Sequence, residues 1–336
     1  MFRVFKYLFT LILFLILTGC FLFKEERPVF QYNTPGYVHD LCISDTKLFV
    51  ADGDSGVLVL DITDPEKPAI IARRTNVKAS IITARDSLVL FADSIFWGIL
   101  LLRGDTLLHI TEIKGVTRDP IVSLILSSYF FSILTREELL IYKYHYPQDV
   151  ALKKEILLYH SEAVDAYYDS VFTLYVAQRD DGIRKFIIFP VQEDSIRVDY
   201  EFDNFFASYS NINGIFPNKT SIELGGFFLA LGSDGIKGYG ISLIQGHDTL
   251  YQFNTRGYAF DGCTGYHHVY VADGQGVDVL KMFIDRKFEE VQYYKLPGTI
   301  KKIVALNDLE RSKYYIYVPA GGNGFFILKQ ENALED

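Results

Sequence analysis

An all-β ring of seven four-stranded antiparallel sheets is the fold class that this 336-residue sequence predicts. Three observations carry the prediction. Residues 36–72 read as one complete up-and-down sheet; the signals of that sheet recur to the end of the chain; and the last copy is short of one strand, for which the start of the chain holds a spare.

The template unit is GYVHDLCISDTKLFVADGDSGVLVLDITDPEKPAIIA, residues 36–72. Residues 39–44 and 47–51 are short β-rich runs, and Asp45-Thr46 between them is a polar pair suited to a tight turn. Asp52-Gly53-Asp54-Ser55-Gly56 breaks the chain again, since glycine reaches φ > 0 without a Cβ clash. Residues 57–62 are a largely apolar run of a length that fits a strand covered on both faces. Asp64-Pro65-Glu66-Lys67-Pro68 turns the chain once more, because proline fixes φ and offers no ladder donor. Residues 69–72 then begin a fourth strand. No helical period intervenes, so the unit is a meander and not a βαβ crossover.

The later copies are FADSIFWGILLLRGD at 91–105, VAQRDDGIRKFIIF from Val176, ALGSDGIKGYGISL from Ala230, VADGQGVDVLKMF from Val271 and VPAGGNGFFILK from Val318. First strands start near Asp40, Ser80, Asp119, Asp165, Asn213, Asp261 and Lys302, at gaps of 40, 39, 46, 48, 48 and 41 residues. That period is the one of propeller blades. The third unit, 116–156, keeps the strand pattern but lacks the glycine turn. Sheets this apolar bury both faces by packing around an axis, which also leaves only short edges. The final unit holds three strands, around 299–306, 314–319 and 324–329, and residues 28–34 (PVFQYNT) supply the fourth. The expectation is a seven-bladed β-propeller whose last blade is closed by the N-terminal strand.

Gly56-Val57-Leu58-Val59-Leu60-Asp61-Ile62-Thr63-Asp64-Pro65, preceded by Leu48-Phe49-Val50-Ala51-Asp52, resembles the LVIVD repeat of bacterial and archaeal envelope proteins. Ala272-Asp273-Gly274 with Gly276-Val277 is a second match, while the other units lack the Asp-x-x-x-Pro ending. The resemblance implies a propeller in the cell envelope and names no reaction.

Ahead of the ring, Arg3 and Lys6 precede an apolar core at 7–17 that closes in Leu17-Thr18-Gly19-Cys20. This is the architecture of a secretory signal, and its ending resembles a bacterial lipobox cut before Cys20. The expected division is a lipoprotein signal peptide at 1–19, a lipidated tether at 20–27, the propeller at 28–330 and a tail at 331–336. An uncleaved membrane helix at 7–23 competes with it, although 17 residues is short for a span. The expected address is the bacterial envelope, lipid-anchored through Cys20, on the outer membrane if two membranes are present. Loss of residues 1–19 takes the formal charge from −9 to −11. An acidic body disfavours nucleic acid, whose phosphates need basic surface. The expected partners are the membrane, through the lipid, and a protein or a glycan, with the propeller itself a monomer.

Candidate chemistry rests on Asp40, Asp119, Asp165 and Asp261, each four residues after a comparable turn position. Pointed at the axis, four carboxylates would form a channel-mouth ligand site able to hold Ca2+ or a cationic ligand. The competing reading is that each Asp caps backbone N–H groups of its own turn. Lys302, at the matching position of the last unit, would neutralise part of the cluster. No other cofactor is expected. The loop at 52–56 begins like a calcium loop, but Val57 and Thr63 stand where that pattern needs Gly and Glu, so no metal is assigned to it. His267-His268 is expected in an exposed turn. Cys42 and Cys263, on first strands of blades separated by a third, are expected as buried free thiols. His39, His109, His145, His160 and His247 show no zinc spacing, and the sequence contains no HExxH, CxxC or GxSxG. The leading functional expectation is a non-catalytic binding or scaffold module. The alternative is a metal-dependent hydrolase or lactonase of the propeller kind, with the four aspartates around its metal.

Overall fold

The computed structural model describes residues 30–330 except 146–148, 160, 170–171, 193–194, 203–210, 220–225, 243–245, 284–286 and 309–312. The signal, Cys20 and the tail at 331–336 lie outside the described residues, as does His160.

The described residues form seven sheets of four antiparallel strands. Six follow chain order from the axis outward, at 40–74, 81–116, 121–157, 163–202, 214–253 and 261–300; the seventh spans 304–330. Its outer strand is Phe30–Tyr32, paired antiparallel with Phe325–Gln330 in the register Phe30–Ile327 and Tyr32–Phe325. The N-terminal segment thus closes the ring where expected. Tyr32 stacks on Phe325 at a ring separation of 5.0 Å, and Thr34 Oγ1 donates to Asp52 Oδ1 at 2.6 Å. One short segment therefore ties the last blade to the first.

Apolar residues on both faces of each blade meet those of its neighbours, giving seven separate cores among the described residues. Between blades one and two, Phe49, Val57 and Val59 pack on Ile82, Val89 and Leu100. Between blades seven and one, Tyr315, Tyr317 and Phe325 pack on Leu48, Val50 and Leu58. Phe and Tyr fill these slots because flat rings supply large contact area between facing sheets. A ring of small cores explains how a chain of this length avoids one oversized core.

The repeated glycine turn has a second role beyond the hairpin. Gly53 N–H donates to Ala79 O and Ala79 N–H donates to Gly53 O, at 2.9 and 3.1 Å, one blade onward. Gly232 and Ala259 exchange the same pair of bonds at 3.1 and 2.9 Å. Gly53, Gly232 and Gly321 sit at φ 59°, 59° and 60°, where a side chain is strained. Each turn therefore docks the blade that follows.

Candidate functional site

Alignment of the strand registers puts one residue in each of six blades at the head of the innermost strand, Asp40, Ile81, Ser123, Asp165, Gly214 and Asp261; in the last blade Lys302 stands just before the innermost strand, Val304–Asp308. Three acids and one lysine thus face one another across the axis. Lys302 Nζ lies 3.5 Å from Asp40 Oδ1, and its side chain keeps 41% of its surface open to the channel. Asp40 first, with Asp165 and Asp261, holds the Lys302 ammonium above its usual range.

The acids also hold blades together. Asp40, 2% exposed, accepts Leu41 N–H at 2.8 Å in its own blade and Ile82 N–H at 2.9 Å in the next. Further down the same strand, Cys42 Sγ accepts Ala84 N–H at 3.3 Å and Ser44 Oγ accepts Asp86 N–H at 2.9 Å. The innermost strand of blade two is a sheet edge with unpaired N–H groups on alternate residues. Side chains at 40, 42 and 44 supply acceptors in step with them. Asp165 repeats the arrangement. It accepts Ala166 N–H at 2.8 Å, Ile215 N–H from the next blade at 3.3 Å and Ser123 O–H from the previous one at 3.0 Å.

Burial pushes the Asp165 carboxyl up, against Lys302 and its three hydrogen bonds. Burial likewise drives Asp261 up, to about 8, with the charges of Asp165 and Asp40 adding to it and Lys302 opposing. Cys42 and Cys263 are free thiols on the same strands, and burial raises both. They are inert fillers, because the reactive thiolate is disfavoured there.

Asp119 is not in the ring. It lies in the bend before Ile121–Leu126, and Ser123 takes its place. Blade three carries a bulge between Ile121 and Ser123, as blade four does between Ala163 and Asp165. The N–H that bonds the preceding blade comes from Ile121, six residues after Gly115, whereas Val38 makes that bond two residues after Gly36, so the count that placed Asp119 falls four residues short.

His268 is not in an exposed turn. It opens His268–Ala272 at 5% exposure, against Tyr270 and Tyr314. Burial lowers it to about 4, so it stays neutral. The run His-Val-Tyr-Val-Ala alternates weakly, and the turn ends one residue earlier than its polarity suggests. The loop at 52–56 is a turn closed by Asp52 N–H to Gly56 O at 2.8 Å, and the Asp52 carboxylate accepts Thr34 O–H and Gly36 N–H.

Two cavities that no motif announced open on the rim above the ring. One, of about 540 Å³, includes Arg136, Arg179, Tyr258 and Lys301 in its wall. The other, of about 570 Å³, includes Tyr37, His39, Lys301 and Lys302. Both are built from turns between second and third strands and from the segments that enter the innermost strands. Their residues are scattered by blade, so only closure of the ring assembles them.

Seven four-stranded blades around an axis lined by first strands define the class: this is a β-propeller. Within it, residues 35–75 match the LVIVD repeat. No curated protein matches the chain. Solved structures similar to it include a chain of the mitotic checkpoint complex, at 9% identity and TM-score 0.67, covering 91% of this chain and 92% of that one. The WD40 β-propeller domain of Doa1 is similar at 14% identity and TM-score 0.63, covering 91% and 98%. The computationally designed Ika8 protein is similar at 8% identity and TM-score 0.63, covering 90% and 100%. At these identities the likeness is one of fold.

Proposed function

We propose that the chain is a non-catalytic binding module, lipid-anchored in the bacterial envelope, that engages a partner with the rim bearing the two cavities. The observation that carries the non-catalytic part is the ammonium of Lys302 among the acids. A divalent cation bound by Asp40, Asp165 and Asp261 would have to displace a lysine 3.5 Å from the first of them. It would also have to strip carboxylates that already accept backbone N–H groups of two blades. These residues fit a structural crosslink better than a Ca2+ site, which wants six to eight free oxygen ligands. Among the described residues, no three His, Cys, Asp or Glu side chains are placed to hold a metal.

The envelope address is supported by the basic, apolar and LTGC run at 3–20. Mass spectrometry of the mature N-terminus tests it: a diacylglyceryl Cys20 is expected, and an intact Met1 overturns the anchor. Thermal unfolding with millimolar Ca2+ tests the non-catalytic reading. Native-state binding would raise the midpoint; an unchanged midpoint is expected, and a shift of several degrees would restore the metal-dependent hydrolase alternative.

A further inference from the structure

We infer that the cavity-bearing rim binds an acidic oligosaccharide, with carboxylates on Arg136, Arg179 and Lys301 and sugar rings on Tyr258 and Tyr37. The inference rests on the binding-module reading and adds its ligand class.

The chain carries a formal charge of −9, yet three cationic side chains share the wall of one cavity of about 540 Å³. Arg118, Arg184 and Arg256 are matched locally, to Glu138, Asp181 and Glu290. Arg136 and Arg179 have no ion-pair partner among the described residues, and the Lys301 ammonium lies over the Phe260 ring at 5.5 Å. A guanidinium fork left open in a cavity fits a carboxylate in bidentate geometry.

The tyrosines beside these cations are held in place by turn glycines. Tyr258 lies on the turn glycine of the preceding blade, close enough that a Cβ at Gly232 would stand 2.6 Å from its ring. Tyr37 lies on Gly321 in the same way, again at 2.6 Å. Both tyrosines are exposed, at 40% and 57%. A tyrosine ring packed on a glycine and partly exposed is a rigid platform, held at little entropic cost. The C–H face of a pyranose is complementary to such a surface, because the ring quadrupole is negative on its face.

Length and polarity complete the case. The two cavities share Lys301, so the groove runs past a single sugar and suits a chain with repeating charge. Glu162 and Asn213 also face the first cavity. A sugar hydroxyl can donate to the Glu162 carboxylate beside these cations.

The test is calorimetric titration of the full chain with a short oligogalacturonate, its methyl ester and an oligoglutamate of equal charge. The acid oligosaccharide is expected to bind, with the ester and the peptide each at least about tenfold weaker, which is about 1.4 kcal/mol. R136Q/R179Q should weaken the acid oligosaccharide by about tenfold or more at an unchanged urea midpoint, and Tyr258→Ala should weaken acid and ester alike. Equal binding of the ester, tighter binding of the peptide, or no heat at millimolar ligand overturns the inference. Capture from solubilised envelopes separates it from the reading beneath it. If R136Q/R179Q lose a partner that the unaltered chain retains while no oligosaccharide binds, the ligand class falls and the rim stands; if capture is indifferent to both arginines, the rim falls as well.

Discussion

Replacing Asp40 by Ala tests whether the axial carboxylates are staples between blades. The side chain is buried and accepts two backbone N–H groups, Leu41 at 2.8 Å and Ile82 at 2.9 Å, the second from the adjacent blade. Alanine leaves both donors without an acceptor, at about 1–3 kcal/mol each, so a loss of about 4 kcal/mol is expected. Unfolding entropy of about 2.1 cal/mol/K per residue over about 300 residues gives about 0.6 kcal/mol/K, hence a midpoint about 6 °C lower. Asp40→Asn should lose about half as much, since one carbonyl oxygen remains to accept while the amide faces the other donor. Trp97 is the sole tryptophan and is buried between blades two and three, so its fluorescence reports urea unfolding beside the affected joint. Amide exchange gives the local readout: protection at Ile82 should fall more than protection at residues of distant blades. A loss below about 1 kcal/mol in D40A, or unchanged exchange at Ile82, would refute the crosslink and return the aspartates to the list of ligand-binding candidates.

Asp261 holds its proton to about 8 in the folded chain, while an unfolded Asp releases it near 4. The native state therefore binds the extra proton between those values, and stability falls as pH rises through that window, by up to about 1.4 kcal/mol per unit. Asp261→Asn should flatten this fall in urea titrations run across the window. His268 works from the other side. Its folded value of about 4 lies below the unfolded one, so its contribution is complete above about 6.5 and is lost as pH falls toward 4. His268→Phe should remove that acid limb, seen as a smaller gap between urea midpoints at neutral and acid pH. Gly56→Ala places a Cβ 1.9 Å from Arg74 O at φ 90°, whereas Gly104→Ala at φ 57° meets nothing within 4 Å. The second should cost about 1–2 kcal/mol from backbone conformation alone and the first clearly more, by urea unfolding. Tyr32→Ala removes the 5.0 Å stack on Phe325 from the ring closure. It should cost about 2 kcal/mol from the lost stack and half-buried ring, and protection should fall first in Phe325–Gln330.

Local chemistry was enough to read the blade. Period-two runs broken by Asp-Gly, Asp-Pro and Gly-Gly turns dictate meanders whatever surrounds them, and a sheet apolar on both faces must pack between two others. The missing strand of the last unit and the spare one at 28–34 follow from the same count, because an unpaired edge beside Phe325–Gln330 would leave backbone groups unsatisfied. Asp40, Asp165, Asp261 and Lys302 were legible as equivalent positions for the same reason.

What those residues face was not in the sequence. In blade three the bond to the preceding blade falls at Ile121, which exchanges Asp119 for Ser123, and no local signal marks that position, since its partner Ser94 lies in another blade. Whether a carboxylate at the strand head binds a ligand or caps Ile82 depends on the distance to an edge 42 residues away. The burial of His268 depends on Tyr314, which arrives 46 residues later. The rim cavities are the extreme case, because Arg136, Arg179, Tyr258 and Lys301 come from different repeats. The sequence by itself determined the repeat, its period and its closure, which are short-range hydrogen-bonding and burial requirements. Only the tertiary structure decided what gathers at the axis and on the rim, because those contacts exist solely between blades and are set by the geometry of the closed ring.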